Sequence, residues 1–356
     1  MNSVGSRFSF EYTPASIRVS FGTGNISTID AELERLAIEN AAVFCSPTRE
    51  AQVNRIRGNS TRRIAKLFTV TSKTSAGDFE KICRDLRNNF NGLIAFGGGE
   101  TIRIGKAFAA NTRLPLIATP TTYSGAEFAP NWYVGIGPEA KRGAGEAALP
   151  RTIIYDCKLT RGLPIAVAAA SGMNAMAHAV ESLYGPDRIP LIEAAAEEAV
   201  RKLNIALPRI AANPSDMGAR SDAMLGAWLA AAYRARTSLE HALAQFLRHM
   251  FDLNHAETHA VVLPYVLAFN RDHIPDARIR LQRALGADEP AGALYQLNRR
   301  LGLKTGLREI GMTEAQVAIA IDGLSKQDLS NPRPVTAADL ENIVKLAFTG
   351  AAPNAL

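Results

Sequence analysis

Cysteine is scarce in this chain. Cys45, Cys83 and Cys157 are the three among 356 residues. An odd number, widely spaced and without a CxxC pair, excludes a disulfide framework and a CxxC metal site. The sequence reads as a protein of a reducing cytoplasm. There is no uninterrupted apolar run of about eighteen residues, so no membrane span is expected. The opening stretch MNSVGSRFSFEYTP lacks the apolar centre of a signal peptide. The net charge is +6 and the pI about 9.3, yet there is no basic block with interleaved aromatics. No nucleic-acid partner is expected; the balance suits a pocket for an anionic small molecule. Repeats and low-complexity linkers are also missing, so two cores should pack closely, with the site in the cleft between them.

What the chain does have is two contrasting halves. In the first, short apolar runs alternate with helical patterns. SIRVSFGTG alternates at Ile17, Val19 and Phe21, and IDAELERLAIEN follows with helical spacing, Asp30 serving as its cap. Ala41–Pro47, AKLFTVT, Asn91–Gly99, Leu114–Thr122 and Thr152–Leu159 read as further buried strands. Beyond Pro164 the pattern is Ala-rich and helical. The expected fold is therefore α/β: a Rossmann-like parallel-sheet domain over 1–162, then an all-helical domain over 163–356.

GLIAFGGGETIRIGKAF places Gly97, Gly98 and Gly99 between a strand and a helix. Such a turn can bring backbone N–H groups and a helix N-terminus to a pyrophosphate; a tight strand-to-helix turn is the plainer alternative. Glu100 follows directly and would repel a phosphate, with Arg103 and Lys106 near enough to offset it. After the next strand, Thr121, Thr122 and Tyr123 offer hydroxyls at a sheet's C-terminal edge, where ligands bind in open α/β sheets.

Six histidines occur, all in the second half. Asn174 and His178 share a helix face, as do His241, Gln245 and His249. His255 lies fourteen residues beyond His241 in NHAETHAVVLP. Three imidazoles could hold iron or zinc, but the neighbour of His178 is the neutral Asn174. The expectation is no metal, or weak binding at His178, His241 and His255, with the imidazoles serving as hydrogen-bond donors and proton carriers.

Together, GGGETIRIGKA, PTTYSGAEFAPNW, LPRTIIYDCKLT, ASGMNAMAHAVESLYGPD and HAETHAVVLPYVLAFN resemble, in order and spacing, the maleylacetate reductases. These belong to the iron-containing alcohol dehydrogenases, with dehydroquinate synthase a more distant relative by fold. The resemblance covers nearly the whole chain. It implies NADH or NADPH in the cleft and hydride transfer to an unsaturated 4-oxo-dicarboxylic acid, in a branch where many members carry Asn and work without metal. Asn174, His178, His241, His255 and Gln245 are then the candidate catalytic positions. Gly97, Gly98, Gly99, Glu100, Thr121, Thr122 and Tyr123 are the candidate cofactor contacts. Lys141, Arg142 and Arg236 are candidates for holding the carboxylic acid substrate, and a homodimer is the base-rate expectation.

Three departures stand out. The family's His-His-Lys-Leu-Cys-His segment reads Glu240-His241-Ala242-Leu243-Ala244-Gln245, its following Gly-Gly is Arg248-His249, and the serine of its GGGS turn is Glu100. The alternative reading is a non-redox lyase, isomerase or cyclase on the same scaffold, with the cofactor site impaired by Glu100 and an acid lost at Gln245.

Overall fold

The computed structural model describes residues 9–59, 63–71, 73–135, 140–353 and 356. Residues 1–8, part of the opening stretch read above, lie outside them. Six strands form one parallel sheet: β1 (Arg18–Phe21), β2 (Ala41–Cys45), β3 (Ile64–Thr69), β4 (Gly92–Gly97), β5 (Leu116–Pro120) and β8 (Thr152–Tyr155). Their order is β1-β8-β5-β4-β2-β3. Parallel pairing needs crossovers, and α1 (Ile29–Arg35), α2 (Glu50–Asn59), α3 (Ala76–Asn89) and α4 (Gly99–Thr112) supply them.

Strand alternation divides the side chains between two cores. Ala42, Phe44, Leu93, Ala95, Ile153 and Tyr155 face α3, α4 and the helical domain. Val43, Cys45, Ile94, Phe96 and Ile154 face the other way, onto Ile29, Leu33 and Val53. Both faces are covered, which is why β2, β4, β5 and β8 are buried at every position. Asp30 is not the cap of α1. A 3-10 turn over Asn25–Thr28 has already wound the chain, so the cap is Thr28 and Asp30 lies inside the first turn.

From β2 the chain runs outward to β3, then returns to the opposite side of β2 for β4 and β5. This reversal opens a crevice at the strands' C-terminal ends. A short antiparallel hairpin, β6 (Asn131–Val134) and β7 (Lys141–Ala144), leaves the sheet between β5 and β8. Its sequence, with Trp132 and Tyr133 in one arm and Lys141 and Arg142 in the other, falls outside the strand patterns read above.

One buried lysine shapes this region. Lys106, wholly inaccessible, donates from Nζ to the carbonyls of Ala126, Ala129 and Asn131 at 2.7, 2.6 and 2.7 Å. Burial and the nearby Arg103 charge lower its pKa well below the usual value, against the pull of Glu127. Replacing Lys106 with methionine strands three acceptors. A stability loss on the order of 3 kcal/mol or more is expected in urea denaturation; a loss below about 1 kcal/mol would contradict this account of the loop.

The helical domain is built on α5 (Ile165–Ser182), which is buried along nearly its whole length after the first turn. A helix apolar on all sides belongs in a core. It packs among α6 (Pro190–Ala212), α7 (Met217–Ala232) and α9 (His255–Asn270). A Cβ on Gly172 would lie 2.4 Å from Leu207, so glycine there permits the close approach of α5 and α6. A second core joins α8 (Leu239–Phe251) and α9 to α12 (Glu314–Ser325) and α13 (Ala337–Thr349). Between α9 and α12 lie α10 (Pro275–Leu285) and α11 (Pro290–Arg300). Among the described residues, no helix is long and apolar enough to cross a membrane.

Candidate active site

A cavity of about 520 Å³ lies between the loop after β5 and the helical domain. Ser124, Gly125 and Asn131 line it from the sheet side; His178, His241, Gln245 and His255 line it from the helices. Three elements bring these imidazoles together: α5 carries His178, α8 carries His241, and α9 opens with His255. Asn254 fixes that opening, its side chain accepting from the N–H groups of Ala256 and Glu257.

His241 is the centre of a buried polar cluster. Its Nδ1 lies 2.6 Å from Glu181 Oε2 and 2.8 Å from Glu240 Oε2. Its Nε2 lies 3.4 Å from His178 Nε2. Glu240 also meets Nδ1 of His259 at 2.9 Å. Burial alone would lower the pKa of His241, but the Glu240 and Glu181 carboxylates outweigh it and raise it to about 9. Burial alone would raise Glu240; its contacts with His259 and His241 reverse this and hold it low. His178 is pushed well down, by burial first and then by the His241 charge, and His255 by burial and then by His259 and Arg103. His259 is lowered by burial despite Glu240. The result at neutral pH is one imidazolium among neutral imidazoles.

Glu181, Glu240 and His259 were not singled out in the sequence. The signals were present: Glu181 follows His178 by three residues on α5, Glu240 adjoins His241, and His259 follows His255 by one helical turn. Gln245 is at the cavity with its side chain exposed. Asn174 is buried one turn behind His178 and off the cavity, its Nδ2 donating to the Ser124 carbonyl at 3.1 Å. Its Oδ1 is buried with no hydrogen-bond partner among the described residues.

The glycine turn stands at the end of β4. None of Gly97, Gly98 and Gly99 has a positive φ. Their need for no side chain comes from contact instead. A Cβ on Gly97 would meet Thr101 at 2.7 Å, one on Gly98 would meet Thr122 at 3.1 Å, and one on Gly99 would meet Ser124 at 2.8 Å. Thr122 Oγ1 and Ser124 Oγ are buried and have no partner among the described residues. Glu100 lies in the first turn of α4, exposed. Thr121 and Tyr123 are buried; the Thr121 N–H donates to Gly97, and the Tyr123 hydroxyl faces Thr160 at 3.4 Å.

Of the expected carboxylate anchors, Lys141 pairs with Glu80 on α3, because the hairpin lies against that helix. Arg142 stands opposite Tyr133 in the hairpin, off the cavity lining. Arg236 reaches the cavity but pairs with Asp187. The cationic groups the sequence reading passed over are Arg234, which lines the cavity, and Arg103, which it weighed only against Glu100. Arg103 and Arg248 both donate to the Tyr133 hydroxyl, at 3.4 and 2.5 Å, and Arg103 lies 3.3 Å from His255 Nε2. This bridge spans the cleft from α4 and the hairpin to α8.

The chain matches two family models, "Iron-containing alcohol dehydrogenase" over residues 16–157 and "Fe-containing alcohol dehydrogenase family, C-terminal" over 168–348. It is 37% identical to a maleylacetate reductase of Pseudomonas knackmussii, across 96% of this chain and 98% of that one. The solved structure of maleylacetate reductase from Agrobacterium tumefaciens superposes with a TM-score of 0.92 at 31% identity, covering 97% and 100% of the two chains. A putative alcohol dehydrogenase from Ralstonia eutropha gives 0.93 at 36%, covering 97% and 99%. Fold, full-length similarity and the two matched models agree: this chain belongs to the iron-containing alcohol dehydrogenase family and is an oxidoreductase.

Proposed function

We propose that the chain is a reductase of maleylacetate or a related unsaturated 4-oxo-dicarboxylic acid, using NADH or NADPH and no metal. The observation that carries this reading is His241, a buried imidazole at the wall of the cavity held by two carboxylates, which favour its protonated form. Reduction of the alkene adds a hydride to the carbon β to the ketone and a proton to the α carbon. A bound dihydronicotinamide would supply the hydride. His241 would stabilise the enolate charge and deliver the proton. This acid makes up for the glutamine at position 245.

The residues at the head of α4 suit the cofactor. Backbone N–H groups at Gly98 and Gly99, the helix dipole, and the hydroxyls of Thr122 and Ser124, without partners among the described residues, would hold its phosphates. The family's metal is supported less well. Asn174 brings no charge, Arg103 sits against His255, and the Arg234 charge acts on His178. Among the described residues, donor atoms of Glu240, His241 and His259 do converge, within 4.8 Å. The carboxylate–imidazole contacts there, 2.8 to 3.1 Å, are those of hydrogen bonds between charged and neutral partners.

The test is oxidation of NADH or NADPH by maleylacetate, with a fluorescence titration of each cofactor. Turnover is expected to survive prolonged EDTA treatment unchanged; activity lost to EDTA and restored by iron or zinc would overturn the metal-free reading. Glu100→Ser should tighten cofactor binding by about two- to fivefold, since a carboxylate leaves the phosphate's neighbourhood. Unchanged affinity would place the phosphates elsewhere. No binding of either cofactor up to millimolar concentration would favour the non-redox alternative.

A further inference from the structure

The cavity holds more positive charge than its own acids balance. Arg236 is paired with Asp187. Arg103 is held by Tyr133 and His255 but has no carboxylate partner among the described residues. Arg234, in the connection after α7, has neither a hydrogen bond nor an ion pair among the described residues, although it is part-buried and lines the cavity. Leaving a guanidinium out of bulk water without an acceptor is costly. The buried Glu127 opposes the effect of burial on Arg234 without pairing with it. Glu127 takes a hydrogen bond from the Tyr155 hydroxyl at 2.5 Å through one oxygen, and its other oxygen has no partner among the described residues. Arg234 is thus a guanidinium at the cavity wall with no acceptor among the described residues. A guanidinium fork in that state suits an oxyanion such as a carboxylate, which it can hold by two parallel hydrogen bonds.

Both arginines line the same cavity as His178, His241 and His255: Arg103 lies against His255, and Arg234 stands in the connection between α7 and α8. His241 sits between His178 and His259, its ring centroid 4.2 Å from that of the first and 4.5 Å from that of the second, which is in turn 4.6 Å from His255. We propose that Arg103 and Arg234 each hold one carboxylate of a dianionic substrate across His241, and that Arg234 is the residue selecting for the second carboxylate. This rests on the cavity being the substrate site of the reductase reading above.

The test uses adipate and hexanoate as probes, titrated calorimetrically into the full-length protein without cofactor. Wild type is expected to bind adipate about tenfold or more tightly than hexanoate. Arg234→Gln should weaken adipate by about tenfold or more while leaving hexanoate within about twofold, and Arg234→Lys should lose less. Arg201→Gln, a change at a surface arginine paired with Glu198 on α6 and outside the cavity lining, should leave both unchanged. If Arg234→Gln fails to fold, Arg234→Lys against wild type carries the same comparison. The proposal is overturned by equal binding of the two acids in wild type, by an adipate loss below about fivefold in Arg234→Gln, or by inorganic phosphate binding more tightly than adipate. NADH titrated into the same samples separates the readings: selective adipate binding without NADH binding sinks the reductase and supports the arginine pair.

Discussion

Glu240→Gln is expected to cost about 3 to 5 kcal/mol of stability, because it removes one charge from a buried, mutually satisfied set. The variant keeps the shape of the side chain, so packing against α5 and α9 survives. What goes is the charge shared by His241 and His259, both buried. The pH dependence follows from the direction of each shift. His241 is raised in the folded protein to about 9 from an ordinary 6.5. Its contribution is fully present below the ordinary value and is lost as pH rises through about 9. Glu240 is lowered, so its contribution is present above the ordinary carboxylate range and is lost in acid. Wild type should therefore be most stable between these limits, and Glu240→Gln should flatten the alkaline limb. Urea midpoints measured from pH 3 to pH 10 read both limbs. A variant within about 1 kcal/mol of wild type at pH 7 would mean that the carboxylate is idle.

His241→Gln is expected to lower kcat by about a hundred- to ten-thousandfold, the usual worth of a positioned general acid. Cofactor binding should stay within about twofold, because the phosphate contacts assigned to Gly98, Gly99, Thr122 and Ser124 lie in the other domain. In wild type, kcat should hold through neutral pH and fall as His241 loses its proton near 9. A variant within tenfold of wild type would remove His241 from the chemistry and move attention to His255, which also lines the cavity.

Strands β2, β4, β5 and β8 were legible because each is a compact apolar run between turn residues, and burial on both faces leaves no polar alternation to obscure it, whereas β1, at the sheet's edge, showed by alternation. The hairpin was not, since its arms of four residues are half-buried and carry Lys141, Arg142 and Tyr133 in place of an apolar pattern. His178, His241 and His255 could be picked out by helical spacing and by resemblance. Their electrostatic state could not. It depends on Glu181, sixty residues from His241 in sequence and 2.6 Å from it in space. Arg234 was hidden for a related reason: a basic residue in an Ala-rich stretch reads as a solvated face, and its lack of a partner among the described residues emerges only when the loop after β5 shares a cavity with it. The glycine turn was located correctly in sequence, but the reason for its glycines is the packing of Thr101, Thr122 and Ser124 against them, which spacing does not reveal.

The pairing of β1 with β8 bears on how the chain assembles. Strands β2 to β5 meet partners made close to them in time, whereas Phe21 waits for Tyr155, and the Gly24 N–H waits for the Asp156 carboxylate, 132 residues later. Closing so long a segment adds little to its entropy cost per further residue, yet it must precede any reward from the contacts it makes. On a ribosome, the first strand therefore emerges early and docks late. For that interval the edge of β5 that β8 will cover stands open to other strands. The step that seals the sheet is also the one that delivers α5, since only a 3-10 turn and a short connection separate β8 from the helix carrying His178. Completion of the sheet and placement of the first imidazole beside it are thus a single event, which closes the first domain before α8 and α9 are made.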